Sequence, residues 1–196
     1  SLSKNRERLL AARAEILRKT RDSLAGSYKP TCLAVIPVRE SYPDWQGVPY
    51  AKINGKSLLA LALDSAHQAR EVTDVAVSSE SQSVLDFAEA LERSSSQKNL
   101  RILRPSSPGG GTFRPQDILT HAVSAFEAER GFQPDIVLFL SIHAQLRECH
   151  HVDKAVDMLI VTMSDSVVSV DQEREPMFLH GKEGLELINP GRFDGL

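Results

Sequence analysis

The sequence predicts a three-layer α/β/α sandwich with a mostly parallel sheet and an extra N-terminal helix. Three observations carry this. From Cys32 onward, apolar runs of strand length alternate with amphipathic stretches of helix length. The run Ile136–Leu140 is apolar at every position, as a central parallel strand covered on both faces should be. Stretches rich in Gly, Pro and Ser punctuate the chain between these segments. Crossovers between parallel strands are then expected to be right-handed.

In order along the chain, Lys4 to Leu24 reads as a helix. Leu10, Leu17 and Leu24 recur every seven residues, with Leu9 and Ile16 beside them, giving one apolar stripe on a charged helix. Gly26 and Pro30 end it. Residues 1–30 are therefore an N-terminal helical extension, and 31–196 one α/β domain. Cys32–Ile36 is a buried strand ended by Pro37. After a loop, Asn54-Gly55 reads as a turn former, and an amphipathic helix follows the Gly-Lys turn and runs to Ala66. Val72–Ser78 is a short strand, and Ser83–Arg93 a helix with Val84, Phe87, Ala88 and Leu91 on one face. Ser94 to Asn99 is a polar loop and Leu100–Leu103 a strand. Arg104 to Pro115 is a loop, and Gln116–Glu129 a helix burying Ile118, Leu119, Ala122, Val123 and Phe126. A helix over His151–Val161 precedes a strand over Ser166–Val170. Met177–Leu179 and Leu185–Ile188 flank Gly181 and Gly184 as a small hairpin.

Composition narrows the functional classes. Of 196 residues, 41% are hydrophobic and 25% charged, ordinary for a globular domain. A net charge of -3 points to neither nucleic acid nor an anionic membrane as partner. Aromatics at 6% are too sparse for a base-stacking platform. Cys32 and Cys149 make no close motif, which fits a reducing, cytoplasmic setting better than a disulfide scaffold. No apolar run is long enough to span a bilayer. His143, Cys149, His150 and His151 lie near one another but lack paired-ligand spacing. Gly109-Gly110-Gly111 is not followed by Gly-Lys-Ser/Thr, so it is no phosphate-binding P-loop.

The most informative stretch is Leu33 to Ala66. Arg39 and Lys52 stand between a strand end and the next helix, where a parallel α/β sheet receives polyanions. The stretch resembles the N-terminal signature of the CMP-sialic acid (N-acylneuraminate) and CMP-Kdo synthetases. Ile36-Pro37-Val38-Arg39 matches the I-P-A-R of that signature, Gly47-Val48-Pro49 its G-I-P, and Gly55–Leu59 its G-K-P-L-[IL]. Further matches follow in order. They are Val77–Glu80 (V-S-T-D), Arg104-Pro105 (R-P), Asp117, His121 and Ala122 in the next helix, Pro134–Leu140 (P-D-I-V-V-L-L), Leu146-Arg147 (L-R) and Ser164–Val170 (A-D-S-V-V-S-V). Glu175-Pro176-Met177-Phe178 follows like the family's P-P-F.

The resemblance implies a Rossmann-like nucleotide-diphospho-sugar transferase fold and transfer of CMP from CTP to an acidic sugar, with release of pyrophosphate. It implies catalytic roles for Arg39 and Lys52. Nucleotide contacts fall on Val38, Arg39, Ser41, Lys52, Ser78, Glu80, Arg104 and Arg114, and sugar contacts on Ser141, His143 and Arg147. It also implies Mg²⁺ and a homodimer; no metal ligand is identified in this chain. The family's downstream Asp-x-Asp would fall past Leu196, so a C-terminally truncated domain is one expectation. On the residues alone, Arg39 reads more readily as a solvated loop cation than as a ligand, and Lys52 either as the motif lysine or as a residue preceding the Asn54-Gly55 turn. The family's glycine pair after the motif arginine is Glu40-Ser41 here, and Tyr42-Pro43-Asp44-Trp45 is inserted behind it. Its acidic-Thr-x-Ser segment is Gly111-Thr112-Phe113-Arg114, and its sugar-facing Q-P-T-S-P is Ser141–Gln145. These departures leave two alternatives: a catalytically inactive relative serving as a binding or assembly module, or a nucleotidyltransferase with another base or sugar.

Overall fold

A computed structural model of the chain describes residues 30–42, 45–93, 99–105, 114–170, 177–181 and 184–187. The expected N-terminal helix, most of the 94–99 loop and the Gly109–Gly111 run lie outside the described residues.

The core of the molecule is β1 (Cys32–Val38). It pairs in parallel with β6 (Asp74–Ser79) on one side and β8 (Ile136–Phe139) on the other. Parallel β7 (Leu100–Leu103) extends the sheet past β6, giving the order β7-β6-β1-β8. Leu33, Ala34, Val35 and Ile36 are fully buried, each large side chain contributing roughly 1.5–3 kcal/mol of transfer free energy.

The two-residue period of β1 divides its side chains between two helical layers. Ala34, Ile36 and Val38 pack with α1 (Leu58–His67), α2 (Gln82–Arg93) and the start of α4 (Cys149–Thr162). Leu33 and Val35 point the other way, onto Ala122 and Phe126 of α3 (Pro115–Arg130). Cys32 joins Ile136 and Val156 of α4. This is the expected three-layer sandwich, and Cys32 is the small core residue expected of it.

Helix boundaries follow local chemistry. The Ser57 side chain accepts the Ala60 N–H at 3.2 Å and caps α1. Pro115 opens α3, and Gly131 closes it in the left-handed region at φ 80°. A reciprocal pair between Glu148 and His151 caps α4, so that helix begins two residues before the sequence-based start.

Short hairpins fill the connection from β1 to α1. β2 (Ser41–Tyr42) pairs with β3 (Trp45–Gln46), and β4 (Lys52–Ile53) with β5 (Lys56–Ser57). Asn54 and Gly55 turn the second hairpin, both left-handed at φ 50° and 83°, as an Asn-Gly hairpin turn requires. Downstream, β9 (Phe178–Gly181) and β10 (Gly184–Leu187) form the expected antiparallel hairpin.

Two expectations need correction. Among the described residues Ile136–Leu140 is not a central strand: β8 is an edge of the described sheet, and Phe139 is 42% exposed. Its apolar run reflects cover on its two faces by α3 and α4, which periodicity cannot distinguish from a neighbour on each side. Ser166–Val170 forms no strand; it is exposed and has no paired partner among the described residues. Its β-branched composition favours a strand only where a partner and a covering face exist.

Candidate functional site

Chain order and sheet order disagree at one place. From β1 the chain moves outward through β6 to β7, then returns past β1 to β8. The reversal falls at the carboxyl ends of β1 and β8, and in open α/β sheets the crevice at such a point is the usual ligand position. Three segments meet there: the loop after β1, the Glu80-Ser81 turn after β6, and residues 140–147 after β8.

The first group of polar residues centres on Arg104, which follows β7. Its side chain is 3% exposed and turns back over the sheet end. Nη1 donates to the Ser78 carbonyl at 2.6 Å and lies 3.4 Å from Ser78 Oγ. Nη2 donates to the Val38 carbonyl at 3.2 Å and to Glu80 Oε2 at 3.1 Å. Nε is buried without a hydrogen-bond partner among the described residues. A planar guanidinium suits this work, because its fork satisfies several carbonyls that the sheet leaves open. Glu80 supplies the charge compensation that a buried cation needs. Its other oxygen, Oε1, lies 3.8 Å from Arg39 Nε, so one carboxylate stands between two guanidinium groups. Arg39 is half-buried, with its side chain 21% exposed.

The loop after β1 closes on the same place. Tyr42 Oη accepts the Arg39 backbone N–H at 3.3 Å. The Tyr42 ring meets His143 edge-on, with centroids 4.7 Å apart at 79°. Burial raises the Tyr42 phenol pKa, while the Arg39 N–H and the charges of Arg104 and Arg39 pull it down. Glu40 Oε2 accepts the Ser81 hydroxyl at 2.7 Å, and Oε1 lies 3.5 Å from the Tyr50 hydroxyl. Burial, then Glu40, raises the Tyr50 pKa. The Glu40 carbonyl accepts the Gly47 N–H at 3.0 Å, and Gly47 is left-handed at φ 67°. Trp45 points away, 71% exposed. Of the two described aromatic residues of this insertion, Tyr42 is the one that reaches Arg39.

The segment after β8 makes a second group. Ser141 Oγ accepts the His143 N–H at 3.2 Å. The Ser141 carbonyl accepts from Arg147 Nη1 at 3.1 Å and from the Ala144 N–H at 3.3 Å. Arg147 Nε donates to Ser65 Oγ on α1 at 3.3 Å, and Nη2 is buried without a partner among the described residues. No carboxylate among the described residues pairs with Arg147, and burial lowers its pKa.

The structure thus joins Val38, Arg39, Ser78, Glu80 and Arg104 in one network, and Ser141, His143 and Arg147 in another. Tyr42 bridges the two. The remaining sequence-derived candidates lie outside both. Ser41 is exposed on β2. Lys52 is exposed on β4, with no hydrogen bond or ion pair among the described residues. Arg114 is exposed before α3, its carbonyl accepting the Asp117 and Ile118 N–H groups at 3.0 and 3.2 Å. Sequence reasoning missed Tyr42 and Ser65. For Tyr42 a signal existed: a bulky aromatic where the resembling family has a glycine-rich loop.

Among the described residues, no group of three or more His, Cys, Asp or Glu could hold a metal ion. The His150 and His151 rings lie 3.9 Å apart, tilted by 42°, but have other employment. His150 Nδ1 pairs with Glu148 at 3.2 Å, and His151 Nδ1 accepts the Glu148 N–H at 3.0 Å. No helix among the described residues is long and apolar enough to cross a membrane.

No family model matches the chain. No curated protein matches it by sequence either. Solved structures do. A CMP:2-keto-3-deoxy-manno-octonic acid synthetase complexed with CTP aligns at TM-score 0.51 and 19% identity, over 66% of this chain and 47% of that one. A 4-diphosphocytidyl-2C-methyl-D-erythritol synthase from Anaerococcus prevotii aligns at TM-score 0.57 and 14% identity, over 84% of this chain and 65% of that one. The matched part spans about half of the first neighbour and less than two thirds of the second. At these identities the likeness is one of fold: this chain shares the α/β fold of these two structures.

Proposed function

We propose that the chain is a cytidylyltransferase-like protein. It binds CTP in the crevice after β1 and transfers CMP to an acidic sugar, releasing pyrophosphate. The observation that carries this reading is the position of Arg39. Its guanidinium stands at the carboxyl end of β1, beside the reversal of strand order where such sheets bind nucleotides. Both solved structures of this fold described above carry cytidylyl chemistry in their names, and one holds CTP. The short motifs from Ile36 to Leu59 support the same reading.

The residues divide the work. Arg39 neutralises phosphate charge with a planar donor set. Lys52 contributes a mobile point charge to the departing pyrophosphate. Arg104 holds the strand ends and Glu80 in place, positioning Arg39 rather than spending its own donors on ligand. Ser141 and His143 face the sugar side, with Arg147 fixing their turn onto α1. Charge stabilisation of the transferring phosphoryl group is the main demand of this reaction, and positioned cations meet it.

The inactive-relative reading also has an observation in its favour. Glu80 already pairs with Arg39, and Glu40 adds a second carboxylate at the same loop. One experiment separates the two. The chain is incubated with CTP, Mg²⁺ and a panel of nonulosonic and octulosonic acids, and pyrophosphate is measured. Sugar-dependent release supports the transferase. CTP binding by calorimetry without release for any sugar supports a binding module.

A further inference from the structure

The crevice contains acceptors of its own where a nucleotide's phosphate oxygens would go. Glu80 is anchored through Oε2 to Arg104, which is itself fixed by the carbonyls of Ser78 and Val38. That leaves Oε1 directed at Arg39 Nε, 3.8 Å away. The backbone N–H of Arg39, the first donor of the loop, is taken by Tyr42 Oη at 3.3 Å. His143 braces the Tyr42 ring from the far side. A carboxylate oxygen therefore stands at ion-pair distance from the side chain of Arg39, and a phenol oxygen accepts its main-chain donor.

We propose that Glu80 and Tyr42 are internal competitors for Arg39, so that nucleotide binds by exchange rather than by filling an open cradle. The inference rests on Arg39 being the phosphate contact proposed above. On entry, Glu80 Oε1 gives up Arg39 while Oε2 keeps Arg104, and Tyr42 leaves the Arg39 N–H. Phosphate oxygens then take both donors. The device also selects. Glu80, with Glu40 hydrogen-bonded to Ser81 nearby, repels any anion at this loop. A ligand must carry enough charge on adjacent oxygens to replace two acceptors at once. Polyphosphates, which carry more charge over more oxygens, meet that condition better than a monophosphate.

The test is calorimetric titration of the 196-residue chain and its Glu80→Gln and Tyr42→Phe variants. The probes are CTP, CMP and inorganic tripolyphosphate. Glu80→Gln keeps an acceptor for Arg104 but removes the competing charge; CTP and tripolyphosphate should bind about two- to fivefold tighter. Tyr42→Phe frees the Arg39 N–H and should tighten both by about two- to tenfold. CMP should bind more weakly than CTP to every form. Circular dichroism confirms that each variant is folded. If Glu80→Gln does not fold, Tyr42→Phe carries the test, because it leaves every Arg104 bond in place. Tighter binding by a folded variant supports exchange, including the case where only the variant binds measurably. If the wild type binds CTP and the folded variants bind it equally or more weakly, the exchange inference falls and the nucleotide reading stands. If no folded form binds CTP or tripolyphosphate, the nucleotide reading itself falls.

Discussion

Arg104 Nη2 reaches the carbonyl oxygen of Val38 at 3.2 Å, crossing from the end of β7 over β6 to the end of β1. With Nη1 on the Ser78 carbonyl, one side chain laces together the carboxyl ends of three strands. The crevice floor is therefore held by side-chain bonds where the sheet ladder stops.

Arg104→Ala should be strongly destabilising. It strips two strand-end carbonyls of their donor and leaves Glu80 without its closest cation. Losing one partner of a buried charged network costs about 3–5 kcal/mol. The midpoint of urea unfolding should fall accordingly. Arg104→Lys should recover only part of the loss, since an ammonium cannot reproduce the fork. A change below about 1 kcal/mol for Arg104→Ala would show that the network is not what holds the strand ends.

Lys52→Ala should behave in the opposite way. Lys52 is exposed on β4 and bonded to nothing among the described residues, so stability should change by less than about 0.5 kcal/mol. Pyrophosphate release, if Lys52 serves the leaving group, should drop at least tenfold with little change in CTP affinity. Thermal unfolding and a turnover assay on the same preparation check both halves. Unchanged turnover in an active protein would remove Lys52 from the site.

The contrast between these two cations shows what the sequence could convey. Cys32–Ile36 was legible because a fully covered parallel strand is a continuous apolar run. Asn54-Gly55 was legible because few dipeptides accept two left-handed residues. The motif order around Arg39 located the ligand side of the sheet. The folding-back of Arg104, the Glu80 bridge and the Tyr42 contact with His143 were not legible. They are contacts between residues far apart in the chain, and no local period encodes them. The edge position of β8 escaped for a related reason: periodicity reports cover on a strand's faces, whereas sheet order depends on where α3 carries the chain.

The two described tyrosines give a pH signature. Burial raises the phenol pKa of Tyr42 and of Tyr50 in the folded chain, whereas an unfolded tyrosine titrates near ~10. Below that pH both states are protonated and the contribution to stability is intact. As pH rises beyond it, the unfolded state loses its protons first, so stability declines until the folded phenols titrate too. Urea midpoints should fall on the alkaline side of pH ~10, and Tyr42→Phe should flatten the decline. A slope identical in wild type and variant would mean that Tyr42 is not held protonated by its surroundings.

Arg147 separates structural from ligand roles most sharply. It is a half-buried cation with no carboxylate partner among the described residues, two hydrogen bonds to Ser65 and Ser141, and one buried nitrogen left over. Replacing it with methionine, of similar length, removes those two bonds but also the cost of holding an unpaired charge away from water. These effects oppose each other, so Arg147→Met should alter stability by no more than about 1 kcal/mol. If an acidic sugar approaches the Ser141–Arg147 turn, its carboxylate feels the missing charge. Sugar-dependent pyrophosphate release should then show a KM raised at least tenfold for the sugar, with the KM for CTP little changed. Ser65→Ala is the companion variant, because it loosens the turn while keeping the charge. A KM shift in Arg147→Met alone identifies a charge that the sugar senses. Equal shifts in both identify a turn that merely needs anchoring to α1. An unchanged sugar KM in both would remove this turn from the sugar side of the site.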